Sequence, residues 1–100
     1  MTLRHIVSWR LSGETREARD AQAAEAVPAL EALREQVPSV RALNVYRNEL
    51  FDGANFDLTL IAEFDDEAGL AAYASHPDHL PVIDLMKSIT AGRAATDFTL

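Results

Sequence analysis

The sequence predicts an α+β fold: an antiparallel four-stranded sheet with helices on one face. Three observations predict it. Segments in which apolar residues alternate with a period of two lie at both ends and in the middle of the chain. Segments with apolar residues every third or fourth position lie between them. The two central strand-like segments flank Asp52-Gly53, a dipeptide suited to a hairpin turn.

In the first segment Leu3, His5, Val7, Trp9 and Leu11 share one parity, and Arg4, Ile6, Ser8 and Arg10 the other. That is a strand with one strongly apolar face, closed by Ser12-Gly13. From Thr15 to Val37 the spacing becomes helical, with Ala23, Ala26 or Val27, Leu30, Leu33 and Val37 on one side. Thr15 suits the N-cap, Pro28 is expected to kink or divide the helix, and Val37-Pro38 to end it. Residues 40–50 and 55–64 read as strands, the second with Phe56, Leu58, Leu60, Ala62 and Phe64 on one face. Ile61 is the apolar exception opposite, as at an edge or interface. Asp65-Asp66-Glu67 places carboxylates where they cap a helix and oppose its dipole. That helix runs to about Ser75 with Leu70 and Tyr73 inward, and Pro77 restarts the chain as another with Val82, Ile83, Met86 and Ile89 inward. A strand from Arg93 to Leu100 closes the chain. The order β-α-β-β-α-α-β describes a ferredoxin-like sheet, and a second copy covering its bare face would close an α+β barrel.

Composition narrows the function. One hundred residues without low complexity predict a single domain over residues 1–100, which buries only about two-thirds of its unfolded surface. Self-association as a homodimer is an expected second source of burial. A net charge of −7 with scattered basic residues argues against nucleic acid and against anionic membrane surfaces. Without cysteine there is no thiol nucleophile or thiolate metal site. Residues 1–11 alternate instead of forming a basic then apolar leader, and no stretch approaches the ~18 apolar residues of a membrane span, so cytoplasmic residence is expected. Four scattered glycines offer no phosphate cradle, and no cofactor is expected. Nor is a metal: Pro77 breaks the register between His76 and His79, and no third ligand is evident.

The residues resemble a known family. His5-Ile6-Val7, Val37-Pro38-Ser39-Val40, Phe56-Asp57-Leu58, Glu63-Phe64-Asp65 and Asp97-Phe98 follow the pattern of the stress-responsive A/B barrel (Dabb) proteins in order. The most specific piece is Tyr73-Ala74-Ser75-His76-Pro77-Asp78-His79. The family includes stress-induced plant proteins and a plant polyketide cyclase with a Tyr/His acid–base pair in a cavity between sheet and helices. The resemblance implies that Tyr73 and His79 are that pair, that Asp97 supports His79, and that His5 is a further cavity histidine. Two departures put the cyclase's substrate in doubt: Leu58 stands where it carries a histidine, and alanines around 21–26 replace its aromatic lining.

Chemically, a histidine titrates near neutrality and can take a proton from an acidic carbon. A tyrosine hydroxyl can donate to a developing enolate oxygen, and a carboxylate can hold an imidazole tautomer. His79, Tyr73 and Asp97 would suit condensation, cyclisation or enolisation of a carbonyl compound. The plainer reading makes His79 the start of a helix and Tyr73 core filling. Buried polar residues are mostly satisfied structural groups, and that applies to His5 unless it shares a cavity with His79. The expected cavity is lined by His5, Val7, Trp9, Leu58, Val82 and Ile83, and takes a small apolar or carbonyl ligand.

Overall fold

The computed structural model describes residues 1–100. The elements are β1 (Leu3–Leu11), α1 (Arg16–Gln36), β2 (Ala42–Arg47), β3 (Leu58–Phe64), α2 (Glu67–Ala74), α3 (Leu80–Ile89) and β4 (Thr90–Thr99). The sheet order is β2-β3-β1-β4 and every pairing is antiparallel. This is the expected ferredoxin-like arrangement.

Parity decides which face the helices cover. His5, Val7, Trp9 and Leu11 of β1 and Leu58, Leu60, Ala62 and Phe64 of β3 are all buried. The apolar ones among them meet Ala23, Ala26, Leu30 and Leu33 of α1, Tyr73 of α2, and Val82, Met86 and Ile89 of α3 in one core. The opposite parity carries Ile6, which lies directly across from Ile61, and these two remain partly exposed. The apolar exception noted at Ile61 is therefore half of a cross-strand pair on the bare face.

Three local expectations change. Residues 40–50 and 55–64 do not form a tight hairpin at Asp52-Gly53: the strands stop at Arg47 and resume at Leu58. The intervening segment is an ordered loop, tied by Asn48 N–H to Asp57 O and by Arg10 to the carbonyls of Gly53 and Ala54. Arg19 reaches it through the Asp52 carboxylate, and Asn55 through the Leu50 carbonyl. These side-chain ties compete with a two-residue turn. Pro28 does not divide α1, which is continuous. Pro28 and Ala24 are both exposed, so the carbonyl that loses its intrahelical donor can bond water. The last strand begins at Thr90, directly after α3.

Two of the three helix starts, those of α1 and α2, are capped by side chains. Thr15 accepts from Ala18 N–H at 3.1 Å, and Asp66 from Gly69 N–H at 2.9 Å. Gly13 makes the entry to α1 possible, because a Cβ there would stand 2.8 Å from Arg19 N and 2.9 Å from Ala18 Cβ. No helix is long and apolar enough to cross a membrane.

Candidate functional site

The helices cover β3 and most of β1, while β4 lies at the sheet edge with largely exposed side chains. The space between β1, β4 and α3 stays open as a cavity of about 530 Å³, within the range that holds small organic ligands. Fifteen residues line it, ten of them hydrophobic, so its walls desolvate what enters. His5, Val7, Trp9, Val82 and Ile83 are among them, with Tyr73 and His79. Leu58 is not: it is sealed in the core at 1% exposure, and Leu60 on the same strand face takes its place in the wall.

One end of the cavity is a cluster of rings. Tyr73 and His79 stack with centroids 4.2 Å apart and planes inclined by 31°. His5 meets Tyr73 edge-on at 6.4 Å. Phe64, wholly buried, supports both, at 5.3 Å from Tyr73 and 6.5 Å from His5. Tyr73 is supplied by the inner face of α2, and His79 by the N-cap position of α3 after the Ser75–Asp78 corner. His5 comes from the middle of the sheet.

Asp97 does not support His79. The β1–β4 register sets Asp97 opposite His5, and His5 Nδ1 hydrogen-bonds the Asp97 carboxylate. The partner of His79 is the backbone carbonyl of Ala74, 3.2 Å from Nδ1. A carbonyl only accepts, so Nδ1 carries the proton and Nε2 keeps its lone pair. Burial lowers the His79 pKa from its usual 6.5, opposed by the Ala74 carbonyl and reinforced by the neighbouring His5. His79 is thereby held neutral and able to accept a proton near pH 7.

Burial pushes the Tyr73 phenol up to about 12. Its hydroxyl has no partner in the chain, yet Arg4 Nε is the one buried side-chain polar atom left unpaired. The hydroxyl therefore opens to the cavity that Tyr73 lines. With Tyr46→Phe removing the other tyrosine, the remaining phenol is expected to titrate near 12 rather than 10 by near-ultraviolet absorbance. A midpoint near 10 would mean that Tyr73 is not desolvated.

Residues 3–100 match the family model of the Stress responsive A/B Barrel Domain, Dabb. The chain belongs to this family. Among proteins of curated function none matches it in sequence. A dimeric ferredoxin-like protein of unknown function from Thermobifida fusca is 27% identical, with a TM-score of 0.85 over 100% of this chain and 92% of that one. A dimeric ferredoxin-like protein of unknown function from Bacteroides fragilis is 25% identical, with a TM-score of 0.88 over 99% and 96%. The hydroxynitrile lyase from Passiflora edulis shares the fold at 13% identity, with a TM-score of 0.82 over 99% and 93%.

Within this Dabb fold the opposite end of the cavity was not foreseen from the sequence. Lys87, Thr90 and Arg93 line it. Lys87 lies one helical turn beyond Ile83, and that spacing was the available signal. Arg93 was readable only through its register opposite Trp9, which pairing decides.

Proposed function

We propose that this Dabb protein is a homodimeric module whose cavity takes a small, largely apolar ligand bearing a polar group. The observation that carries the reading is the cavity of about 530 Å³ whose mostly apolar wall ends at the Tyr73–His79 stack. Apolar walls supply affinity, and the few convergent polar groups fix orientation. The homodimer rests on the bare sheet face, where Ile6 and Ile61 pair and Phe98 and Tyr46 are 36% and 54% exposed. Relatives of the same fold are dimeric.

A thermal-shift panel of small apolar carbonyl compounds tests the ligand, with the mass in solution measured alongside. At a hundredfold excess over Kd a bound ligand adds about 2.7 kcal/mol, which is on the order of 10–20 °C for a domain of this size. The mass is expected near twice 11.0 kDa. A panel without any shift removes the ligand, and a monomer at micromolar concentration removes the dimer.

A second reading is favoured by the His79 tautomer: a cofactor-free cyclase or isomerase acting on a carbonyl compound. His79 Nε2 would take a proton from the carbon beside a carbonyl, and the Tyr73 hydroxyl would donate to the enolate oxygen that forms. His5, with Asp97 on its Nδ1, would complete the polar end. A hydroxynitrile lyase on the same fold supports carbonyl chemistry only as an analogy.

A further inference from the structure

The charge of the cavity runs against the charge of the chain. Acidic residues outnumber basic ones by 16 to 9, yet no aspartate or glutamate lines the cavity, while Lys87 and Arg93 both do. Five other basic side chains are committed to carboxylates: Arg4 to Glu63, Arg19 to Asp52, Arg34 to Glu31, Arg41 to Asp65 and Arg47 to Asp20. Arg10 is bound to loop carbonyls and lies over the Phe56 ring. Arg16, Lys87 and Arg93 have no carboxylate partner and are exposed; of the three only Lys87 and Arg93 line the cavity, which sets them where it meets solvent.

The two ends are well separated. Trp9, paired with Arg93, lies four residues along β1 from His5, about 13 Å at the rise of a strand. Lys87 lies eight residues along α3 from His79, about 12 Å at the rise of a helix. Two elements running independently agree on the length. At the far end the Asp97 carboxylate on His5 repels an anion, so a negative head has one favourable orientation.

We propose that the ligand is an amphiphilic carboxylate, bound with its anionic head between Lys87 and Arg93 and its apolar body reaching toward Tyr73 and His79. This rests on the cavity being a ligand site and specifies the class of ligand. A guanidinium and an ammonium at the rim of an apolar cavity favour a carboxylate over a neutral head of equal length.

Decanoate and 1-decanol are titrated calorimetrically into the full-length protein at low salt, as wild type and as the Lys87→Met/Arg93→Met variant. Wild type is expected to bind decanoate about tenfold or more tightly than decanol, the advantage of a charge-assisted hydrogen bond. The variant is expected to lose that advantage and to keep its affinity for decanol. Should the variant fold poorly, the salt series on wild type decides: decanoate binding weakens as salt rises and decanol binding does not. Equal binding of the two ligands by wild type overturns the carboxylate and leaves the apolar cavity standing. Binding of neither overturns both.

Discussion

Replacing Phe64 with alanine is expected to lower the free energy of unfolding by about 3–5 kcal/mol, the cost of deleting a buried phenyl ring and leaving its space empty. Phe64 is wholly buried at the end of β3 and touches two of the three rings of the polar cluster. Its space has little means of collapse, because Gly69 above it presents no side chain, and a Cβ built there would meet Phe64 at 3.4 Å. A domain of this length loses about 4–8 °C of melting temperature per kcal/mol, so calorimetry reads the effect directly. Phe64→Leu, which keeps most of the volume, is expected to cost much less. If alanine and leucine destabilise equally, the Phe64 ring does not support the cluster by its volume. The alanine variant is also expected to lose ligand stabilisation, since Tyr73 then loses the wall that holds it against His79.

If the cavity turns over a carbonyl compound as the acid–base reading has it, His79→Gln is expected to reduce that turnover by about 10²–10⁴-fold, the usual contribution of a positioned general base. Tyr73→Phe, which keeps the ring stack and removes the hydroxyl, is expected to cost about 10²–10³-fold, as loss of an oxyanion donor does. Both variants should retain the fold, because glutamine can still donate to the Ala74 carbonyl and phenylalanine still fills the core. Turnover unchanged in both removes the acid–base reading and leaves ligand binding intact.

The pH dependence has a definite sign. His79 has a folded-state pKa lowered below 6.5 by burial, so its neutral form persists to lower pH than a free histidine. Any turnover that uses His79 as base is expected to hold as pH falls past 6.5 and then to fail as the lowered value is crossed. Stability follows by linkage: between the folded value and 6.5 the unfolded chain binds the proton and the folded chain does not. The folded state therefore loses stability as pH falls through that window, and His79→Gln is expected to remove this loss in urea titrations above and below pH 6.5.

Much of the fold was legible in short-range pattern. The parity of Leu3–Leu11 and Leu58–Phe64, the spacing from Ala23 to Val37, and the caps at Thr15 and Asp66 each express a local rule. They are readable because a strand repeats in two residues and a helix in 3.6, whatever the partner. The misreadings share one cause. Asp52-Gly53 has the chemistry of a hairpin turn, but Arg10, Arg19 and Asn55 recruit the surrounding backbone into a longer loop. Pro28 disrupts a helix in isolation, but here it lies on the solvent side of one that packs along its opposite face.

The sequence by itself determined the element order, the buried faces of β1, β3 and the helices, and the identity of the polar residues on those faces. Tertiary structure alone decided which of them meet. Asp97 carries the same parity under any register, but only the pairing of β4 to β1 brings it to His5 instead of His79. Leu58 and Leu60 share a strand face, but only the position of the opening leaves one sealed and the other in the wall. Lys87 and Arg93 look like ordinary surface charges in the chain, and they become the rim of a cavity because α3 ends where β4 begins. Periodicity belongs to neighbours along the chain, whereas a site is made by groups far apart in sequence whose distances are set by packing and register.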